Sequence, residues 1–276
     1  MPAAPLLTIL RLYAAISLRR LIASVCAIGL LIPQSGFTQH PQIERNRKAE
    51  RTNFSDAEIT EGFFKIAFGA EFNVAGRIDR IRKYEEPVRI FVDNRAKPDW
   101  RPQIAKVVAD IRAHIRGLDI AITRQRAQAN VILIMARDRD LGRIIRNVYG
   151  RERARQIQKS LEPQCLSGFS KDDAFHIISS SVLIAADAGR FVFYDCIYEE
   201  LLQALGPIND DSSVPWTMFN DDVQKGFFDI YDQFLLNILY HPRVRAGMTR
   251  EEVRALLPEI LPEIREWIGE VNRPGR

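Results

Sequence analysis

The sequence predicts one α/β (α+β) domain with a small twisted mixed sheet, and three observations carry this prediction. Short β-like runs alternate with an amphipathic helical pattern between residues 88 and 135. The second half is dominated by helical periodicity and by turn residues. Hydrophobic residues make up 46% of the 276 residues and charged residues 27%, which suits one globular core and argues against a largely disordered chain.

Residues 1–38 predict a signal peptide. Arg19 and Arg20 precede an apolar run, LIASVCAIGLLI, which ends at Pro33. The run is shorter than the roughly 20 residues that cross a bilayer, so we expect export to the periplasm or beyond, with no membrane span after cleavage. The export route and the cleavage position stay open.

The charge of the chain gives little reason to expect a nucleic-acid partner. Removing the three arginines of the leader from the 39 basic residues leaves 36, against 35 acidic residues. A nearly neutral mature chain has no strong positive field to attract nucleic acid.

After the leader, the polar and aperiodic residues 39–54 predict a mobile linker, and residues 55–272 a single domain. Ser55 and Glu58 form a capping-box pattern that starts a helix reaching about Gly69. The alternation in EPVRIFVDN predicts a strand at residues 88–92, and the apolar spacing in PQIAKVVADIRAHIRG predicts the long helix that follows. Asp119–Thr123 and Asn130–Met135 predict two further strands.

The segment from residue 137 to 159 predicts basic helices interrupted near Gly150. Its basic residues recur at helical spacing: Arg139, Arg143, Arg146, Arg151, Arg155 and Lys159. Two interpretations remain, a patch for an anionic partner and an ordinary solvated face; the nearby acidic residues favour the second.

Cys165 and Cys196 are the cysteines that remain after leader removal, and in an exported protein they predict a disulfide. The loop-entropy relation puts its stabilisation at roughly 3.5–4 kcal/mol. Two buried free thiols are the alternative. The bridge would join the segment before the strand predicted at Phe175–Ala186 to the first turn of a helix beginning near Cys196.

That helix is the candidate site. Ile197, Leu201, Leu202 and Leu205 share an apolar face, whereas Glu199, Glu200 and Gln203 fall on the other. Gly206 ends the helix where a positive φ is wanted, and Asn209, Asp210 and Asp211 open a turn. Farther on, residues 227–240 predict a helix, and Thr249 with Glu252 caps a C-terminal helix pair divided at Pro258 and Pro262.

The spacing in EELLQALGPIND resembles the zinc-binding motif of metzincin peptidases, H-E-x-x-H-x-x-G-x-x-H followed by a Met-turn. Matching residues are Glu199 at the first His, Glu200 at the general base, Gln203 at the second His, Gly206 at the Gly, Asn209 at the third His and Met218 at the Met-turn. Asp210 stands where matrixin-type members often carry an acidic residue. The resemblance implies a zincin-like fold, with an extended peptide added beside the strand at Phe175–Ala186, but all three zinc ligands are replaced.

The chain also resembles a family of uncharacterised exported bacterial proteins, marked by the EEL-Q-LG-ND run, a following FND and an LY-P-GM segment. The matching residues are Glu199, Glu200, Leu201, Gln203, Leu205, Gly206, Asn209, Asp210, Phe219, Asn220, Asp221, Leu239, Tyr240, Pro242, Gly247 and Met248. This resemblance implies a fold and a site location but no reaction.

Three functions follow for the site. The favoured one is a zinc-less pseudo-peptidase that binds a peptide, protein or cell-envelope ligand through the old cleft. The second is a peptide or glycan hydrolase with Glu200 as general base, coupled to Glu199. The third is a calcium or magnesium site on Glu199, Asp210 and Asp211.

Zinc is not expected, because amide oxygens are poor substitutes for imidazole. The four histidines, His40, His114, His176 and His241, all lie outside the motif. A simple structural alternative remains, in which Glu199 and Gln203 merely face solvent.

Overall fold

The computed structural model describes residues 40–69, 79–160, 164–207 and 209–273. The predicted signal peptide lies outside these residues. Seven helices are described: α1 (Pro41–Lys48), α2 (Asp56–Ala67), α3 (Arg101–His114), α4 (Asp138–Ser160), α5 (Arg190–Gln203), α6 (Ile230–Leu239) and α7 (Arg250–Val271). The five described strands are β1 (Val88–Asn94), β2 (Ile120–Ile122), β3 (Val131–Ala136), β4 (Cys165–Lys171) and β5 (Ile177–Ala185).

The strands form one mixed sheet in the order β2-β1-β3-β5-β4. Strands β1, β2, β3 and β5 run parallel, and β4 pairs antiparallel with β5 at the outer edge. The α/β prediction with a small mixed sheet is therefore confirmed.

Helices cover both faces of the sheet. Ile144 and Ile145 of α4 pack with Ile134 and Leu183, so α4 covers the face that these strand residues point to. Successive strand residues point to opposite faces, and α5, which contacts β4 and β5, covers the other one. Helices α2, α6 and α7 pack together, so the first helix of the domain lies against two helices of its second half.

Most predicted element starts are confirmed. The Ser55 and Thr249 capping boxes are both present at the starts of α2 and α7. Gly150 adopts φ 80° and interrupts α4 where the sequence indicates a break.

The mobile-linker prediction for residues 39–54 is wrong for most of that segment. Residues 41–48 form α1, whose Ile43 is fully buried. Asn46 Nδ2 donates to Gln224 O at 2.8 Å, and Glu50 accepts the Ile230 N–H at 2.7 Å. A single apolar anchor and these long-range hydrogen bonds hold a segment whose composition alone favours disorder.

Two other corrections concern element boundaries. Helix α7 is continuous through Pro258 and Pro262, not a divided pair, because both prolines lie on its exposed side and its apolar residues bury a long stripe. Strand β5 is an inner strand, and the outer strand on this side is β4. Periodicity missed β4 because CLSGFSK carries few β-branched residues.

Candidate functional site

The candidate site starts where α5 ends in a sharp reversal. Helix α5 begins at Arg190, six residues before the predicted start, and ends at Gln203. Gly206 has φ +140°, as the sequence predicts, and a Cβ at this position would lie 2.2 Å from the Arg82 carbonyl oxygen. Only glycine fits this conformation and this close approach, so the chain must turn here.

Three carboxylates converge beside this turn, and we call them the acidic cluster: Glu199, Asp210 and Asp221. One oxygen of each lies within 4.8 Å of the others. Glu199 comes from α5, Asp210 from the loop after the turn and Asp221 from the loop after Met218. Carboxylate oxygens at this spacing suit a cation.

Gln203 ties the cluster to the outer strand. Its Nε2 donates to Asp210 Oδ1 at 2.8 Å, and its Oε1 accepts from Ser167 Oγ of β4 at 3.3 Å. Gln203 is 4% exposed, and Glu199 is partly buried. The alternative in which both residues simply face solvent is therefore wrong, since α5 is surrounded by β4, β5 and the following loops.

The electrostatics of Glu199 are unfavourable to its charged form. Burial raises the pKa of Glu199 well above its ordinary value, and repulsion from Glu200, Asp210, Asp195 and Asp221 raises it further. Among the described residues, its carboxylate has no hydrogen bond and no ion pair. A positive ligand at this position would relieve that repulsion.

Glu200 is buried, whereas Glu199 is only partly buried. It is 6% exposed, although the helical pattern puts it on the polar face. Burial raises the pKa of Tyr149, and the Glu200 charge raises it further. The Tyr149 hydroxyl lies 3.1 Å from Ser181 Oγ. The Glu200 carboxylate is therefore largely shielded from bulk water.

The amides at the other His positions do not make a zinc site. Asn209 Nδ2 donates to the Lys65 carbonyl of α2 at 2.8 Å, so this side chain is engaged with another helix. The four described histidines have partners outside the site: His40 caps α1, His114 contacts Asp110, His176 contacts Asp172 and His241 contacts Glu263. One acid and two amides at the three His positions lack the nitrogen or sulfur donors of stable zinc centres.

The loop that carries Met218 is fixed by one buried carboxylate. Asp232 Oδ2 accepts the Met218 N–H at 2.8 Å, and Asp232 Oδ1 accepts from Thr217 Oγ1. Met218 is itself buried. This clamp sets the path of the loop that delivers Asp221 to the cluster.

Asp211 is not part of the cluster, although the sequence suggested it as a cation ligand. Its Oδ1 accepts the Ser213 N–H at 2.9 Å within its own turn. Asp221 takes the third place instead. The FND segment marks its neighbourhood in the sequence, but only the folded loop brings it to α5. Ser167 was also missed, because β4 was not predicted.

The predicted disulfide between Cys165 and Cys196 is confirmed, with 5.8 Å between the Cα atoms. It joins β4 to the middle of α5 and not to its first turn, because the helix starts earlier than predicted. The bridge therefore braces the two elements that carry Ser167 and Glu199.

Other features lie away from the cluster. All the described arginines of the basic stripe are exposed: Arg139, Arg143, Arg146, Arg151 and Arg155. A groove of about 590 Å³ between α2 and α7 and a cavity of about 350 Å³ beside α6 share no lining residue with the cluster. None of the described helices combines the length and apolar character needed to cross a bilayer.

Comparison with known proteins gives a family but no activity. No curated protein and no solved structure matches the chain. A family model described as "Protein of unknown function (DUF2927)" matches residues 56–259, which include every residue of the acidic cluster and both bridging cysteines. The match covers well over half of the chain, and the protein therefore belongs to the DUF2927 family.

Proposed function

We propose that this protein is an exported, zinc-free binding module of metallopeptidase-like architecture, whose cleft takes a positively charged ligand. The observation that carries this proposal is the convergence of Glu199, Asp210 and Asp221 at the end of α5. Three carboxylates brought together from three chain segments form a preorganised negative site.

The architecture supports a metallopeptidase-like ancestry. Helix α5 ends at the glycine turn, Asp210 follows that turn, and a buried methionine lies in the next loop. An antiparallel outer strand, β4, lies alongside the helix. These features fit the spacing of the metzincin motif, in which a glycine turn follows the helix and a Met-turn follows the third ligand position.

The ligand that suits this arrangement is an extended peptide or protein segment. Among the described strands, β4 pairs only with β5, so its other edge offers backbone groups to an added strand. Gln203 links β4 to the acidic cluster through Ser167 and Asp210. A Lys or Arg side chain of the added segment would reach the carboxylates.

Binding is favoured over hydrolysis because Glu200 is buried. A general base must reach the water that it activates, whereas Glu200 is 6% exposed. The zinc that would polarise a peptide carbonyl also has no suitable donor set here.

Export is supported by the disulfide. Such bridges persist in oxidising compartments and are rare in the cytosol. We place the working protein in the periplasm or outside the cell, where peptide, protein and cell-envelope ligands are all within reach.

A calcium or magnesium ion is the second candidate ligand, favoured by the 4.8 Å spacing of the three oxygens. Hard cations prefer carboxylate and carbonyl oxygens, and calcium tolerates irregular geometry and bound water. This candidate revises the ligand set suggested by the sequence, with Asp221 in place of Asp211.

Selection from a displayed library of random 12-residue peptides tests the first proposal. Enriched peptides should carry Lys or Arg and should lose binding about tenfold or more in Asp210→Asn and Asp221→Asn. Asp222→Asn is the matched control, since Asp222 is the exposed neighbour of Asp221. Selection of neutral peptides that bind all variants equally would refute it.

Thermal unfolding in calcium chloride tests the second candidate. At about 100 times the dissociation constant, calcium should raise the Tm by about 5–10 °C, and Asp210→Asn should abolish that shift. An unchanged Tm at millimolar calcium, or a shift retained in Asp210→Asn, would exclude the ion at this site.

A further inference from the structure

A second candidate binding site lies beside α6, independent of the acidic cluster. It is a cavity of about 350 Å³ between the residues after α3, the C-terminal part of α6, the following loop and α7. Its apolar walls include Trp267 and the buried Ile264. This volume lies within the range of about 300–1,000 Å³ typical of small-molecule sites.

Several polar groups of this cavity are already engaged. Asn237 Oδ1 accepts the Arg116 N–H at 2.8 Å, and its Nδ2 donates to the His114 and Gln233 carbonyls at 2.8 and 2.7 Å. The Trp267 indole N–H donates to the His114 carbonyl at 3.2 Å. These groups have little capacity left for a ligand.

His241 is also engaged, through both ring nitrogens. Its Nδ1 accepts the Arg243 N–H at 3.3 Å, so the Nε2 proton points to Glu263 Oε2, also at 3.3 Å. Burial lowers the pKa of His241, which keeps the ring neutral near pH 7. His241 therefore adds no positive charge, and Glu263 stands at the exposed rim.

Two guanidinium groups remain as unused donors. Arg116 lies 5.7 Å over the Trp267 ring, and its guanidinium has no hydrogen bond or ion pair among the described residues. Arg243 contacts Glu259 through Nη1 at 2.6 Å, while its Nη2 is buried without a hydrogen-bond partner in the described chain. Buried N–H donors are nearly always paired, so an unpaired one beside a cavity indicates a missing acceptor.

We propose that this cavity binds a small organic anion. Its carboxylate or sulfonate would accept hydrogen bonds from Arg116 and Arg243, and its apolar body would lie against Trp267 and Ile264. Glu263 opposes an anion, so it limits the affinity of the site. The ligand therefore combines one negative group with a hydrocarbon or aromatic body of modest size.

Titration with octanoate and naphthalene-2-sulfonate tests this proposal, with octan-1-ol and 2-naphthol as the neutral counterparts. Calorimetry and Trp fluorescence should show saturable binding of at least one anion and weaker binding of its counterpart. Arg116→Met should weaken the anion about tenfold or more, because a charge-assisted hydrogen bond is lost. Arg112→Met, an exposed position on α3 outside the cavity lining, should leave the affinity unchanged.

Glu263→Gln should strengthen anion binding, whereas Arg116→Met should weaken it. It removes a repelling charge and keeps an acceptor for His241, so anion affinity should rise about threefold. Three results would each overturn the proposal: equal affinity for anion and neutral counterpart, no effect of Arg116→Met, or no saturable binding of either anion at about 10 mM. Retained thermal unfolding in each variant shows that the fold is intact.

Discussion

The protein holds two groups of acids, a fully buried pair and the partly exposed acidic cluster, and they differ in how their oxygens are used. In the pair Asp229 and Asp232, Asp229 forms an ion pair with Lys225 at 2.9 Å, and Asp232 accepts from Thr217 and Met218. Burial raises the pKa of both groups. In the acidic cluster, burial also raises the pKa of Glu199, but no described residue donates to its carboxylate.

The comparison teaches that buried acids alone do not indicate a binding site. Asp229 is compensated by the Lys225 ion pair, and Asp232 is compensated by its hydrogen bonds to Thr217 and Met218, which fix the Met218 loop. Glu199 carries the cost of burial without a compensating internal contact, which is typical of a group that a ligand completes. Substitutions in the two groups should therefore have opposite effects on stability.

The largest effect is expected for Asp232→Ala. It removes both acceptors of the Met218 loop and leaves buried donors unpaired, so the free energy of unfolding should fall by about 4 kcal/mol. Urea unfolding measures this change, with Asp222→Ala as an exposed control that should stay within about 0.5 kcal/mol. A loss no larger than that of the control would remove the structural role assigned to Asp232.

The second-largest loss of stability is expected from removal of the disulfide. The double substitution Cys165→Ala with Cys196→Ala should lower the free energy of unfolding by about 3.5 kcal/mol, since the bridge closes a loop across 31 positions. Amide hydrogen exchange should accelerate first in β4 and α5, beside the cluster, and later in α6. Uniform acceleration across the domain would contradict a local bracing role.

Glu199→Gln should change the free energy of unfolding by a smaller amount, and it should raise it. A carboxyl whose folded pKa is raised binds its proton more tightly when folded, so it favours folding at low pH and loses that contribution as pH rises through the folded pKa. At pH 7.5 the variant should be more stable than the wild type by about 1 kcal/mol. Destabilisation at pH 7.5 would mean that Glu199 is structural.

Asp195 should change the pH dependence of stability in the same direction as Glu199, over a defined pH range. Burial raises its pKa to about 6, above the ordinary value near 4. Stability attributable to this group should be complete below about pH 4 and should decline as pH rises through about 6. Chemical denaturation of Asp195→Asn across this range should give a flatter profile than the wild type, and an unchanged profile would exclude the effect.

Much of the fold follows from local pattern, whereas the cluster does not. The Ser55 and Thr249 capping boxes and the Gly206 turn depend on residues a few positions apart, which the sequence displays directly. Asp221 joins Glu199 only through the loop that Asp232 clamps, and periodicity contains no information on that path. Strand β4 was missed for the same reason, because its place depends on pairing with β5.

Helix α5 is more buried than its sequence pattern predicts, because an argument from periodicity assumes that one helix face meets solvent. The sheet and two loops enclose α5, so Glu200 and Gln203 are buried on the face that the pattern makes polar. A polar residue on a helix can therefore signal an internal network as readily as a surface.

A carboxyl-selective NMR titration of Glu199 tests the central claim most directly, since it reports whether this carboxylate lacks internal compensation. The account predicts that the pKa of Glu199 lies well above that of an ordinary glutamate and falls in both Asp210→Asn and Asp221→Asn, because each substitution removes a repelling neighbour. An ordinary pKa that neither substitution moves would contradict the account, since Glu199 would then be satisfied by the protein itself.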